Sequence, residues 1–488
     1  MFKRNWHYLL LLFLLLDFGY SFWHYLQFNI DGDLVPIVAP SEAVRPVLHD
    51  PFGLGPLLRG EQYAAPNRFF AVFFLYEYFR HVPLLLQSVV SPVDSLYLAC
   101  ALIKIGVHLL LVYVLAVAVS NRPNVLSKDF LLAAVLITPF LQTSGFNNAM
   151  GVIDWSITYT IFYALPMSVL LLFMLPFLRA ALHGAPLRES WLGYLGLLGL
   201  VVVLSFNGAI MPGVVLIVCP TVLLVRWYRR FAARPTAEPV VRRALQAVAE
   251  VPRLLLVTFT VFSVLSLYSL FIGYSNSENQ WASIPLLERY ARVPLGVYYL
   301  FTGREMSVDK YGFSLLTAMV VANVFVVRRQ LPAPLAAKVL TVGMWLALFA
   351  AVYLLLLPLG GFRTYREYIV RRDSILPITL GMIGFFAYSA YYLLTSLPAA
   401  VRLRYAVLAG TGLAIFTVTD RYKPSESNAC ERSLFAQLAS SPDPIVQLPA
   451  TCTMMDWQPL TDYRNSGLNG MMLHYWNVTE TRKLYYQK

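Results

Sequence analysis

Apolar runs separated by short polar breaks recur along almost the whole chain. A helix that crosses a membrane needs roughly 20 consecutive apolar residues, and the pattern predicts about eleven such segments. They fall near 7–28, 94–118, 129–144, 156–179, 190–206, 209–227, 254–274, 313–328, 338–358, 375–396 and 404–419. The segments 129–144 and 190–206 are short for a full crossing, so each reads as tilted, broken or re-entrant. The N-terminus starts like a signal peptide, but its apolar stretch runs into Phe22, Trp23, His24 and Tyr25 with no small-x-small cleavage site. That predicts an uncleaved first helix. The fold class expected is all-α: a polytopic transmembrane helical bundle with the lipid bilayer as its first partner.

Composition sharpens this reading. Of the 488 residues, 58% are hydrophobic and 13% charged, against about 25% charged in a soluble domain. The net charge of +12 would suggest a nucleic-acid partner in a soluble protein. In a membrane chain, basic residues instead mark the cytoplasmic side, and no nucleic-acid partner is expected. With the N-terminus inside, the inner segments hold Lys3, Arg4, Arg122, Lys128, Arg179, Arg188, the arginines from Arg226 to Arg253, Arg328, Arg329, Lys338, Arg402 and Arg404. The short outer loops 145–155 and 207–208 hold no Lys or Arg. The expected orientation is therefore N-terminus in and C-terminus out.

Three outer regions are long: 29–93, 275–312 and 420–488. Loops of that length are functional or disordered, and their aromatic content argues against disorder. The division expected is a transmembrane module over 1–419 and a small outer C-terminal domain or tail over 420–488. Cys430 and Cys452 lie in that tail and can form a disulfide if it faces an oxidising compartment. Cys100 and Cys219 sit in apolar runs and read as packing residues.

Four groups of residues carry candidate chemistry. Asp31 and Asp33 flank Gly32 directly after the first helix. Two carboxylates so placed can share a divalent metal such as Mg or Mn, or divide into a base and a ligand; a polar turn ending a helix gives the same sequence. The rest of the first loop supplies His49, Asp50, Arg59, Glu61 and Arg68 as acceptor or cavity residues, and then an aromatic stretch, 69–81, that reads as an interfacial or loop-buried helix. A short outer loop holds Arg363, Arg366, Arg371 and Arg372, against the positive-inside bias. Arginine's planar fork suits phosphate, and snorkelling to headgroups is the plainer alternative. Asp154 and Glu278, from two other outer loops, complete the cavity set. Lys104 and His108, one turn apart inside the second span, read as a bundle contact, with Asp17 as a partner; a transport site is the alternative. Walker A, GxGxxG, HExxH and GxSxG patterns are absent from the sequence, which gives an ATP-driven pump, a zincin or a lipase no support.

A first helix, a long outer loop opening on Asp31 and Asp33, an amphipathic helix within it, many further spans and arginines in a late outer loop together resemble the GT-C superfamily of integral-membrane glycosyltransferases. The resemblance covers most of the chain and is architectural. It implies a sugar donor linked to polyprenyl phosphate, an acceptor glycan, lipid or protein, Asp31 or Asp33 as catalytic base, and Arg363, Arg366, Arg371 or Arg372 on the donor phosphate. The expected location is a bacterial inner (plasma) membrane with the site facing the periplasm or outside. No cofactor is demanded, and a metal at Asp31 and Asp33 stays open. The alternatives are an O-antigen polymerase or ligase, and a transporter or flippase of lipid-linked sugars.

Overall fold

The computed structural model describes residues 7–143, 150–187, 190–235, 238–279, 284–303, 311–360, 368–421 and 427–488. Arg363 and Arg366 lie outside the described residues. The chain is mostly helical, and ten of the described helices are long and apolar enough to cross a membrane. This is an integral membrane protein. The ten are α1 (His7–Tyr25), α2 (Phe69–Leu86), α3 (Pro92–Ser120), α4 (Ile157–His183), α6 (Ile210–Ala232), α7 (Arg253–Gly273), α8 (Gly312–Gln330), α9 (Ala333–Gly360), α10 (Leu376–Ser396) and α11 (Ala399–Thr419). A shorter apolar helix, α5 (Trp191–Ser205), stands between α4 and α6.

Two short segments depart from simple spans, each for a local reason. The stretch predicted over 129–144 forms a helix only over Lys128–Val135, followed by a 3-10 turn at Thr138–Phe140. Pro139 has no amide hydrogen to continue the ladder. Helix α2 meets the length and apolarity of a span, yet its contacts lie elsewhere. Its buried face of Val72, Leu75 and Phe79 packs on residues 34–38 and on the first turns of α3. The Phe70 amide donates to the Phe206 carbonyl at one end, and Gln87 donates to the Trp476 carbonyl at the other.

The molecule has two hydrophobic cores. One fills the helical bundle. The other joins the first loop (Ile30, Leu34, Val35, Val38), α2, the start of α3 and the C-terminal residues Leu434, Phe435, Leu473, Trp476 and Tyr485. The C-terminal segment contributes α12 (Ala429–Ser440), α13 (Gly467–Tyr475) and a two-stranded parallel sheet, with β1 (Ile445–Leu448) paired to β2 (Leu484–Gln487) in the register Ile445–Leu484 to Leu448–Gln487. The loop and the tail therefore fold as one cap. Asn428 ties this cap to the bundle: its side-chain amide donates to the carbonyls of Leu26 and Phe28 just past α1, which satisfies acceptors that a helix end leaves open. Cys430 and Cys452 are joined by a disulfide inside the cap.

Candidate functional site

The site is built around the loop that leads into α4. Ser156 caps that helix by accepting from the Tyr159 amide at 3.2 Å. Asp31, arriving from the other side, accepts from the Thr158 amide at 3.1 Å and from the Asp33 amide at 3.1 Å. A carboxylate is favoured there because the open amides and dipole of a helix N-terminus attract negative charge. Asp31 is 1% exposed. Its neighbour Asp154 accepts from the Ser156 amide at 2.8 Å and forms an ion pair with Arg372. Burial pushes the Asp154 carboxyl above its ordinary range, while Arg372 and Lys104 oppose that push. Lys104, buried in α3, donates to the Trp155 carbonyl and lies 4.6 Å over the Phe28 ring. Two carboxylates and two cations thus gather at one helix start, and α4 departs from it through a π-helical stretch at Thr160–Ala164, a distortion often found at functional sites.

Asp33 differs from Asp31 in its surroundings. It is only partly buried, and its carboxylate accepts from the Trp457 indole N–H at 3.0 Å. Trp457 is 42% exposed. It meets Trp155 edge-on at 5.6 Å and Tyr159 at 5.9 Å between ring centroids. Gly32 explains how the tail comes so close. A Cβ there would stand 2.7 Å from the Trp457 amide nitrogen and 2.9 Å from the Asp456 carbonyl carbon. The glycine serves a close backbone approach rather than a left-handed turn, since Gly32 is not among the positive-φ glycines.

Behind this surface stands Glu431, on α12. It accepts from the amides of Ile30 at 3.0 Å and Met455 at 2.9 Å and from the Tyr97 hydroxyl at 2.8 Å. One carboxylate therefore fixes the approach to Asp31, the approach to Trp457 and the first turns of α3. Burial raises its pKa to about 7, against the lowering effect of those three hydrogen bonds. A lone glutamate in a polar tail gives no sequence signal, and the partners that reveal it lie far away in the chain.

The other candidates from the sequence are placed apart from this centre. Asp50 accepts from the amides of Leu54 and Gly55 and from the Tyr63 hydroxyl, at 2.8, 2.7 and 2.8 Å. Burial works against its ionised form, yet these bonds hold its carboxyl below the usual range. It organises the helix Leu54–Arg59. Arg59 and Glu61 pair with each other on the exposed surface at 2.5 Å, and His49 is exposed. Glu278 is exposed at the start of the 275–312 loop. Arg68 lies 4.7 Å over the Phe162 ring, and so borders α4 one turn beyond Thr158. Arg371 pairs with Asp373. The expected pairing of Lys104 with Asp17 is not the one formed, because Lys104 reaches the α4 loop. His108 reaches Asp17 instead, through Thr138: His108 Nε2 lies 3.2 Å from Thr138 Oγ1, which donates to Asp17 at 2.7 Å.

Asp31 and Asp33 are the side chains that would hold a divalent ion in the first loop. Both Asp31 oxygens are taken by backbone amides, and among the described residues no three His, Cys, Asp or Glu side chains gather to hold a metal. Mg is commonly held by one or two carboxylates completed by water and substrate phosphate, so these two aspartates would hold it only together with a donor phosphate. Comparison of the chain with known protein families, with curated proteins and with solved structures returns no match.

Proposed function

We propose that the chain is a GT-C-like glycosyltransferase that moves a sugar from a polyprenyl-phosphate-type lipid to an acceptor at the cap end of the bundle. The observation that carries this reading is convergence. An arginine from the late loop, Arg372, and Asp31 of the first loop meet at one short segment, residues 154–158, with Asp33 alongside on Trp457, whose ring meets Trp155. That juxtaposition supplies the two things the reaction needs. A base must take the proton of an acceptor hydroxyl, and a cation must stabilise the phosphate that leaves.

The residues divide the work by accessibility. Asp33 takes the base role, because it is reachable and Asp31 is enclosed. Asp31 positions the segment by anchoring the start of α4. Arg372, oriented by Asp154, presents its guanidinium to the donor phosphate. The rings of Trp457, Trp155 and Tyr159 offer apolar faces of the kind that sugar rings stack on. The acceptor oxygen bonds to the anomeric carbon, the carbon–oxygen bond to phosphate breaks, the proton passes to Asp33, and lipid phosphate departs. With the basic bundle end in the cytoplasm, the cap faces the opposite side, which in a bacterial inner membrane is the periplasm.

The test is transfer in membranes supplied with polyprenyl-phosphate-linked hexose, read as released polyprenyl phosphate. Asp33→Asn should slow release at least about 100-fold at equal protein level. Full release by both Asp33→Asn and Arg372→Gln would overturn the reading.

One observation favours a second reading, a transporter of lipid-linked sugars. Asp17, Thr138, His108 and Tyr25 form a hydrogen-bonded chain within the bundle, closed by a 3.1 Å contact between Tyr25 and His108, and ionisable groups inside a membrane often mark a transport path. In that case Asp17→Asn stops movement of intact donor while Asp33→Asn does not.

A further inference from the structure

At the end of the bundle opposite the cap, the last turns of α4, the middle of α6 and the first turns of α7 line a cavity of about 500 Å³. Its walls are apolar, with Phe177, Val218, Val222, Leu255 and Phe259 among them, and Arg226 stands at its edge. Along α6 the lining runs from Val218 to Arg226, a depth of roughly 12 Å at 1.5 Å per residue. The slot follows the helices and carries its charge at one end. Arg226 is exposed, and among the described residues it has no carboxylate partner. Arg253 begins α7 beside Pro252, which lines the same mouth. Arg229 and Arg230 follow one turn on.

We infer that this slot seats one acyl chain of an anionic phospholipid, with the headgroup phosphate on Arg226. The match is one of shape and charge together. A guanidinium binds phosphate oxygens in its planar fork, and basic pockets between membrane helices on the cytoplasmic side take anionic headgroups. The reacting lipid of the proposed transfer is excluded as the occupant by position. The mouth of the slot lies by Gly184 and its deep end by Met174, while the acidic centre begins at Thr158, so along the helix the mouth is roughly 39 Å and the deep end roughly 24 Å from that centre. The two sites therefore lie at opposite faces of the membrane, and a lipid held here belongs to the other leaflet.

The experiment uses the full chain purified in dodecyl maltoside, titrated with phosphatidylglycerol, with phosphatidylcholine of the same acyl chains, or with polyprenyl phosphate, and followed by thermal unfolding. Phosphatidylglycerol should raise the Tm and phosphatidylcholine should not. Arg226→Gln should need about tenfold more phosphatidylglycerol for the same shift. Ala181→Phe, which fills the slot, should remove the shift, and Arg229→Gln, outside the lining, should keep it. Equal responses to the two phospholipids, an unchanged response in Arg226→Gln, an equal loss in Arg229→Gln, or a larger shift with polyprenyl phosphate would each overturn the inference. None of these outcomes depends on transfer at the cap, so its failure and the failure of the proposed function are separately visible.

Discussion

The carboxylate of Glu431 and the hydroxyl of Tyr97, 334 residues apart in the chain, meet at 2.8 Å beneath the cap. Tyr97 belongs to the first turns of α3, so this contact couples the tail to the membrane bundle. Its dependence on pH follows from burial. The folded chain holds Glu431 at about 7 against an ordinary 4.5. Below about pH 4.5 the group is neutral folded or unfolded, and the cap keeps its full stability. As pH rises through 7, the folded cap must hold an ionised carboxylate away from water, and stability falls by on the order of 3 kcal/mol. Melting of the wild type between pH 5 and 8 should lose ground steadily to Glu431→Gln, whose amide does not titrate. Parallel profiles would show that Glu431 is not the source.

Gly32→Ala should destabilise the cap by about 1–3 kcal/mol. The added methyl meets main chain at Asp456 and Trp457 rather than a movable side-chain tip. Trp457 fluorescence should report its displacement from Asp33, and an unchanged emission with an unchanged Tm would contradict the packing described.

Asp154 and Arg372 lend themselves to a double-mutant cycle. Asp154→Asn alone or Arg372→Gln alone breaks this ion pair and should cost roughly 3 kcal/mol. The double variant should cost less than the two single losses added together. On the proposed reading it should still fail to release polyprenyl phosphate. Additive losses of stability would mean that the two groups do not interact.

The disulfide between Cys430 and Cys452 closes a loop spanning 22 residues and should stabilise the cap by about 3 kcal/mol. Reductant should lower the melting temperature of the wild type and leave Cys430→Ser/Cys452→Ser unaffected. Equal sensitivity of both proteins would place the effect elsewhere.

Local chemistry decided how far the sequence could be read. Long helices such as α3 and α7 announce themselves, because lipid demands unbroken apolar runs and nothing distant has to be known. Helix α2 is subtler: its polar end, with Glu77, Arg80 and His81, marks 69–81 as interfacial or loop-buried, but what it packs on depends on residues 34–38 and the cap. The acidic pair after α1 was visible by residue type, but the division between an enclosed Asp31 and a reachable Asp33 depends on Thr158 and Trp457, far along the chain. Glu431 was silent for the same reason. Asp50 drew attention as a charged neighbour of His49, yet its three donors all lie within thirteen residues and make it a local turn-former. The Cys430–Cys452 pair was legible because the tail holds only those two thiols.

The shared core of the cap also sets an order of events during synthesis. Leu34, Val35 and Val38 are buried against residues from 434 to 485, so the ribosome must add about 400 residues, at roughly 5–20 per second, before those partners exist. For some tens of seconds the apolar first loop waits at the membrane surface without its cover. Chains stalled before α12 should expose these residues and be cleaved by protease in the first loop more readily than the full chain.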